Sequence, residues 1–349
     1  MNALADIAIK LLRQREVGLV LLILLVTAIV SLVDPGFLDD RNLKDILVRS
    51  APTVIVACGV MLVVVTAEID ISVGSLMALL AALMGLMISH NEWQLSMWIG
   101  IPTVLLCGTL IGLLTGALVT LGNVPSIIVT LGLLTAIRGA TTLLMGGENI
   151  DGLPDELQTL SKVGPAGMPL GVWTAVAVLI VTQIIITHTP LGRRLFALGS
   201  SDYSARMTGL SATRLKLFAF AYTGFLTALA TVVDVPRLPK IESGIGSGFE
   251  LLVVTCVVVG GVSIAGGRGR LGGVVLSVIL LTMVRPVLTF LDVGEAGEKW
   301  TKAIQGLFIL IAVITDTVVS RSRRGGARNT SSRGTQVAVP RDATGGPAA

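Results

Sequence analysis

Two carboxylates, Glu68 and Asp70, stand in residues 66–75, TAEIDISVGS, between runs of apolar residues. Acids in such a place could couple an ion to transport, hydrogen-bond a polar solute, or cap a helix. Asp70 and Ser72 suit the last role for a helix starting near Val73, because short oxygen-bearing side chains accept orphan backbone N–H groups. An acid there also complements the positive end of the helix dipole. The functional reading puts Glu68 or Asp70 on an aqueous path, since ionisable residues within membranes mark pathways and gates. Glu68, Asp70, Ser72 and Ser75 are therefore the expected path or gating residues, with Glu68 foremost.

Other charged groups fall into two kinds. Arg138 and Arg285 lie inside apolar runs, where a lone cation is costly unless it snorkels or pairs. Each either bonds carbonyls or an acid on a neighbouring helix, or lines a path. Pro286 follows Arg285 and would free carbonyls where the helix bends. Asp234 and Arg237, in DVPRLPK, read as a solvated pair or a rim contact to a docked partner.

Enzymatic chemistry finds little support. His90 and His188 are the two histidines, both at ends of apolar runs, and neither H-E-x-x-H nor G-x-S-x-G occurs. Residues 260–273, GGVSIAGGRGRLGG, lack the Gly-Lys-Ser/Thr ending of a phosphate-binding loop. They read instead as close helix packing by small residues, then a tight turn. If ATP drives this protein, a separate subunit must hydrolyse it. No cofactor or metal site is expected, and Cys58, Cys107 and Cys256, all in apolar runs, read as packing residues.

The elements that position these groups follow from composition. The 349 residues are 53% hydrophobic and 14% charged, with a mean hydropathy of +0.86. Soluble domains carry about a quarter charged residues. Several runs reach the roughly 20 apolar residues that cross a bilayer as a helix. The expected fold is an all-α polytopic membrane protein with about ten transmembrane helices. Their approximate bounds are 17–33, 49–66, 73–89, 96–121, 125–146, 169–188, 213–233, 249–265, 271–291 and 300–320.

Charge orients these spans. The tail carries Arg321, Arg323, Arg324, Arg328, Arg333 and Arg341 against Asp342, so the net charge of +4 is a topological signal rather than a nucleic-acid footprint. The connection from His188 to Lys216 holds Arg193, Arg194, Arg206, Arg214 and Lys216 against Asp202. By the positive-inside rule, both termini and this loop are cytoplasmic, as ten spans require. Residues 1–16 are read as a cytoplasmic N-terminus leading into a retained first helix, 17–320 as the transmembrane domain, and 321–349 as a disordered basic tail. Ten spans also divide into two five-helix halves of opposite orientation, as an inverted repeat would.

The basic loop, 189–214, reads as a partner site. It holds a short helix from Ser201 to Thr208 ended by Gly209, with Ser204, Ala205, Arg206 and Gly209 as the expected contact set.

The order of motifs resembles permease subunits in the ribose/simple-sugar branch of bacterial ABC importers. The similar blocks are FLDDRNLKDILVRSAPTVIVACGVMLVVVTAEIDISVGSLMAL, GALVTLGNVPSIIVTLGLLTAIRGATTLLMGG, LGRRLFALGSSDYSARMTGLSATRLK and GSGFELLVVTCVVVGGVSIAGGRGRLGG. They occur in order within a match that covers nearly everything from about 37 to 316, with one departure: Leu252 stands where the family usually has Asp. The resemblance implies a bacterial inner-membrane protein that forms a translocation path for a small sugar as a dimer. Its partners would be a second copy or a sister permease, separate ATPase subunits on the basic loop, a periplasmic sugar-binding protein, and membrane lipid. Ala205-x-x-x-Gly209 resembles the loop element that seats in the ATPase. The competing reading is a self-contained ion-coupled secondary transporter using Glu68 and Asp70. Such carriers place their acids nearer mid-membrane, and the long basic loop would then lack a purpose.

Overall fold

Backbone polar groups have no water to bond in a hydrocarbon core, so long apolar runs satisfy themselves as helices. The computed structural model describes residues 15–314 apart from 163, 295, 296, 298 and 312. The expected tail, 321–349, and residues 1–14 lie outside the described residues. Along the chain run α1 (Arg15–Val33), α2 (Asp40–Val65), α3 (Val73–Ile88), α4 (Met97–Thr120) and α5 (Ser126–Leu144). Then come α6 (Asp155–Lys162), α7 (Leu170–His188), α8 (Pro190–Ser200), α9 (Asp202–Met207) and α10 (Ala212–Asp234). The short 3-10 turn Val235–Arg237, α11 (Phe249–Val259), α12 (Leu271–Phe290) and a helix over 299–311, α13, complete the set.

Seven of the described helices are long and apolar enough to cross a membrane: α1, α2, α4, α5, α7, α10 and α12. The expected spans 73–89 and 249–265 fall on the shorter α3 and α11. The expected span 300–320 falls on α13 and runs past the described residues. α2 begins at Asp40 rather than at 49, because the charged segment before Arg49 lowers hydropathy without breaking the helix. This charged first part is tied by i,i+4 pairs, Lys44–Asp40 at 2.6 Å and Arg49–Asp45 at 2.5 Å.

α2 is the central mast. Its apolar window is 89% buried within the protein, against 11% for α1 and 17% for α5 and α7. α10, α12, α7 and α11 surround it. The outer helices leave Leu24, Leu106, Ile128 and Ile180 exposed, faces suited to lipid tails.

α10 also packs along α4, at a crossing set by glycine. A Cβ on Gly112 would lie 3.0 Å from the Gly224 Cα, backbone against backbone. Such close approach is how small residues bring membrane helices together. Gly224→Leu should therefore destabilise the fold by about 3 kcal/mol, read as a lower Tm of the detergent-purified chain. An unchanged Tm would mean the helices lie farther apart than described.

Candidate translocation and coupling site

The two short helices meet head to head. α3 is about 24 Å long and α11 about 17 Å, at roughly 1.5 Å per residue, so neither spans a ~30 Å core. After α2 the chain turns at Ala67, where φ is +62°, and runs without helical structure from Glu68 to Ser72 before α3 begins. Ser126 Oγ accepts from the Ile69 N–H at 3.1 Å, fixing this segment to the start of α5. On the other side, Gly246 and Gly248, with φ of +70° and +80°, turn the chain into α11. Arg138 donates through Nη1 to the Ile245 carbonyl at 2.6 Å, holding that turn from α5. This satisfies the arginine inside the membrane by a carbonyl, one of the two readings of its sequence position.

At the meeting point a Cβ on Gly74 would come 2.7 Å from the Gly246 carbonyl oxygen and would overlap the Glu250 carboxylate. Glu250 Oε2 is buried with no hydrogen-bond partner among the described residues. Asp70, 4% exposed, does not cap α3 as expected. Its Oδ1 accepts from the Ser72 N–H at 2.9 Å and the Ser72 hydroxyl at 2.7 Å, so Ser72, at the cap position, makes no side-chain cap. The two residues satisfy each other, and the Ser75 hydroxyl donates back to the Ser72 carbonyl at 2.9 Å.

At the basic end three segments lock together. Glu68 Oε1 pairs with Lys216 Nζ at 2.5 Å, and the two side chains are only 14% and 19% exposed. Lys216 lies near the start of α10, just after the basic loop. The Val65 carbonyl accepts from the Gly267 N–H at 2.8 Å, and Gly199, near the end of α8, packs on the same carbonyl. The α8–α9 loop, the 66–72 segment and the 265–270 turn are thus one junction.

From it α9 projects, started by Ser201, whose hydroxyl accepts from the Ser204 N–H at 3.2 Å. Arg206 pairs with Asp202 at 2.8 Å. Ala205 turns inward and is buried, so a partner would meet the exposed Tyr203, Ser204, Arg206 and Met207. Gly209 follows the helix at φ +80° with open space where a Cβ would stand.

At the opposite end lies a cavity of about 600 Å³ between α2, α3, α11, α12 and α13. Leu252, Arg285 and Asp234 are in its wall. Asp234 pairs with Arg237 at 3.1 Å. Among the described residues no cluster of His, Cys, Asp and Glu could hold a metal, and the three cysteines are free thiols. His188 is exposed, its Nδ1 bonded to the Thr187 hydroxyl at 2.6 Å. In the sequence Glu68 and Lys216 belong to separate segments, and beyond the glycine-rich GSGFEL motif around Glu250 nothing local to Glu250 or Gly199 marks their contacts.

Discontinuous helices meeting inside an all-helical, multi-pass chain are the arrangement of membrane transport proteins. The chain belongs to the family described as "Branched-chain amino acid transport system / permease component", whose model matches residues 42–313. It is 34% identical to the ribose import permease protein RbsC of Haemophilus influenzae over 90% of this chain and 95% of the relative. It is 31% identical to RbsC of Bacillus subtilis, over 87% of this chain and 93% of that one. It is also 31% identical to the autoinducer 2 import system permease protein LsrC of Photorhabdus laumondii, over 86% and 88%. No solved structure matches. The protein is a transport permease and not an enzyme.

Proposed function

We propose that this chain is the membrane-spanning subunit of an ATP-driven bacterial importer for a small sugar, a pentose, a deoxyhexose or a related solute. The observation that carries this reading is the α8–α9 projection. It ends in an exposed helix that holds Tyr203 and Met207 out to solvent, rooted in the segment that leads into α3. A self-contained carrier has no use for such a projection, whereas an ATPase subunit needs one to push. The likeness to ribose and autoinducer 2 permeases supports a sugar-like cargo.

The chain would cross the membrane ten times with both termini cytoplasmic, α3 and α11 serving as the third and eighth spans. Those are equivalent positions in two inverted five-helix halves, and their shared shortness and head-to-head meeting support that symmetry. Two copies, or one copy and a sister permease, would form the path. A periplasmic binding protein would deliver the sugar, and separate ATPase subunits would seat on α9.

Affinity capture of the tagged chain in mild detergent tests the reading. An ATPase should co-purify with the wild type and be absent with Gly209→Glu, which adds a charge and forces a side chain into φ +80° while leaving membrane insertion intact. Transport by the variant should fall at least a hundredfold. Capture without an ATPase, together with uptake that survives ATP depletion, would favour the ion-coupled carrier instead.

A further inference from the structure

The sequence holds four tryptophans, Trp93, Trp98, Trp173 and Trp300, and the fold brings all of them to the end of the molecule that carries the cavity. Trp93 follows α3, its backbone N–H donating to the Leu86 carbonyl at 3.1 Å. Trp98 lies in the first turn of α4, where a Cβ on Gly100 would lie 2.8 Å from Ile88 at the end of α3. Trp173 lies in the first turn of α7, beside Gly171, which packs on Val233 near the end of α10. Ile88 and Val235 share one buried cluster, so the ends of α3 and α10 stand at one level of the fold. Trp300 lies near the start of α13, next to Thr301 in the cavity wall. In chain order the four residues are 55%, 76%, 41% and 55% exposed. The opposite end presents the exposed Arg193, Arg194 and Arg214 and no tryptophan.

An indole has a broad apolar face and one N–H donor, so it is most stable where hydrocarbon gives way to lipid headgroups. Three of the four rings stand at the head of an exposed apolar helix face. On α7, Val176, Ile180 and Ile184 continue the side that Trp173 begins, and on α13 Leu307 and Ile314 continue that of Trp300, both at helical spacing. Leu106, Leu110 and Leu113 lie exposed along α4 beyond Trp98. We propose that Trp98, Trp173 and Trp300 form an anchoring girdle that seats in the headgroup layer of one leaflet and holds the cavity end of the protein level with it. That leaflet is the outer one in the topology proposed above. Tryptophan is also enriched where proteins dock, but a docked soluble protein would cover the rings and not the faces beneath them. The face below Trp173 runs on for about 16 Å to Ile184, at roughly 1.5 Å per residue, which is the depth of a leaflet rather than of a contact rim. The inference needs only that the chain spans a membrane, and it stands apart from the reading as a sugar importer.

The test is tryptophan fluorescence of the full-length chain in nanodiscs of phosphatidylcholine and phosphatidylglycerol. The acyl chains are unmodified, brominated near the headgroup, or brominated near the tail end. Trp93→Phe leaves the three girdle rings as the only tryptophans. Their emission should be quenched at least about twofold more by the shallow bromines than by the deep ones, and more by the shallow bromines than by acrylamide in the water. Variants that keep one of the three rings, with Phe at the other positions, should each give the same order. The wild type, in which four signals add, gives the ordering without any substitution should a variant fold poorly. Stronger quenching by the deep bromines would place the rings in the hydrocarbon core and overturn the proposal. Quenching by acrylamide with no response to either brominated lipid would overturn it too, and would leave the rings as a surface for a docked protein. A reversed order at any one of the three positions would break the girdle and likewise overturn it. The measurement needs neither ATPase nor sugar, so its outcome is separable from any failure of the importer reading.

Discussion

Gly74→Val is expected to abolish uptake, by at least a hundredfold, while the protein still accumulates in the membrane. Any Cβ at this position meets the Glu250 carboxylate, the Gly246 carbonyl oxygen at 2.7 Å and the Glu250 backbone nitrogen at 3.0 Å. Two of those three atoms are backbone and cannot step aside. The start of α3 would be forced off the start of α11, opening the head-to-head junction, while the mast formed by α2 and α10 stays packed. Gly74→Ala combined with Glu250→Ala removes the side-chain overlap alone, so recovery should be partial. Gly132→Ala, at a glycine with open space around it, is the control and should transport normally. Wild-type uptake by Gly74→Val would show that transport does not depend on the two helices meeting here.

The second large effect is expected at the Glu68–Lys216 pair. Exposed ion pairs contribute about 0–1 kcal/mol, while breaking a buried one costs about 3–5 kcal/mol. With side chains 14% and 19% exposed, this pair stands between those limits, nearer the buried one. Glu68→Gln and Lys216→Met should each lower uptake more than tenfold. If the pair transmits force between the basic loop and α3, ATP hydrolysis by the assembled complex should continue in both variants, uncoupled from transport. The exchanged pair, Glu68→Lys with Lys216→Glu, should restore part of the uptake. If the exchange rescues nothing and hydrolysis also stops, the two residues act separately.

Much of the helical framework was legible in the sequence because hydropathy reports length and apolarity, and both are local. α1, α4, α5, α7 and α12 fall close to their expected bounds for that reason. Hydropathy extends α11 to 265, because Gly260 to Ala265 carry no charge and include Val262 and Ile264. The helix nevertheless ends at Val259, and Gly261, at φ +94°, turns the chain. It cut α2 short at the other extreme, since Lys44 and Arg49 lower the average without unsettling a helix that pairs them internally. The spacing of Asp70 and Ser72 before α3 suggests caps, yet the two bond each other instead, through backbone angles that spacing does not reveal. The Glu68–Lys216 pair and the approach of Gly74 to Gly246 join residues far apart in the chain. Such meetings are set by how the helices cross, and no local pattern carries that information.

The position of α2 has a consequence for biogenesis. The four helices that enclose it, α7, α10, α11 and α12, are all synthesised after it. A nascent chain therefore releases its most enclosed helix into lipid early and holds it there while roughly two hundred more residues follow. Its mean hydropathy of 2.1 makes that wait tolerable, and Ser50 and Thr53 find their final surroundings only at the end. The Ser50 hydroxyl meets Thr282 of α12 at 2.6 Å, so the hydrogen bond that closes the mast forms last. Assembly should proceed from the ribosome as a late capture of an early helix, and chains stopped before residue 271 should be targets for membrane proteolysis rather than stable half-transporters.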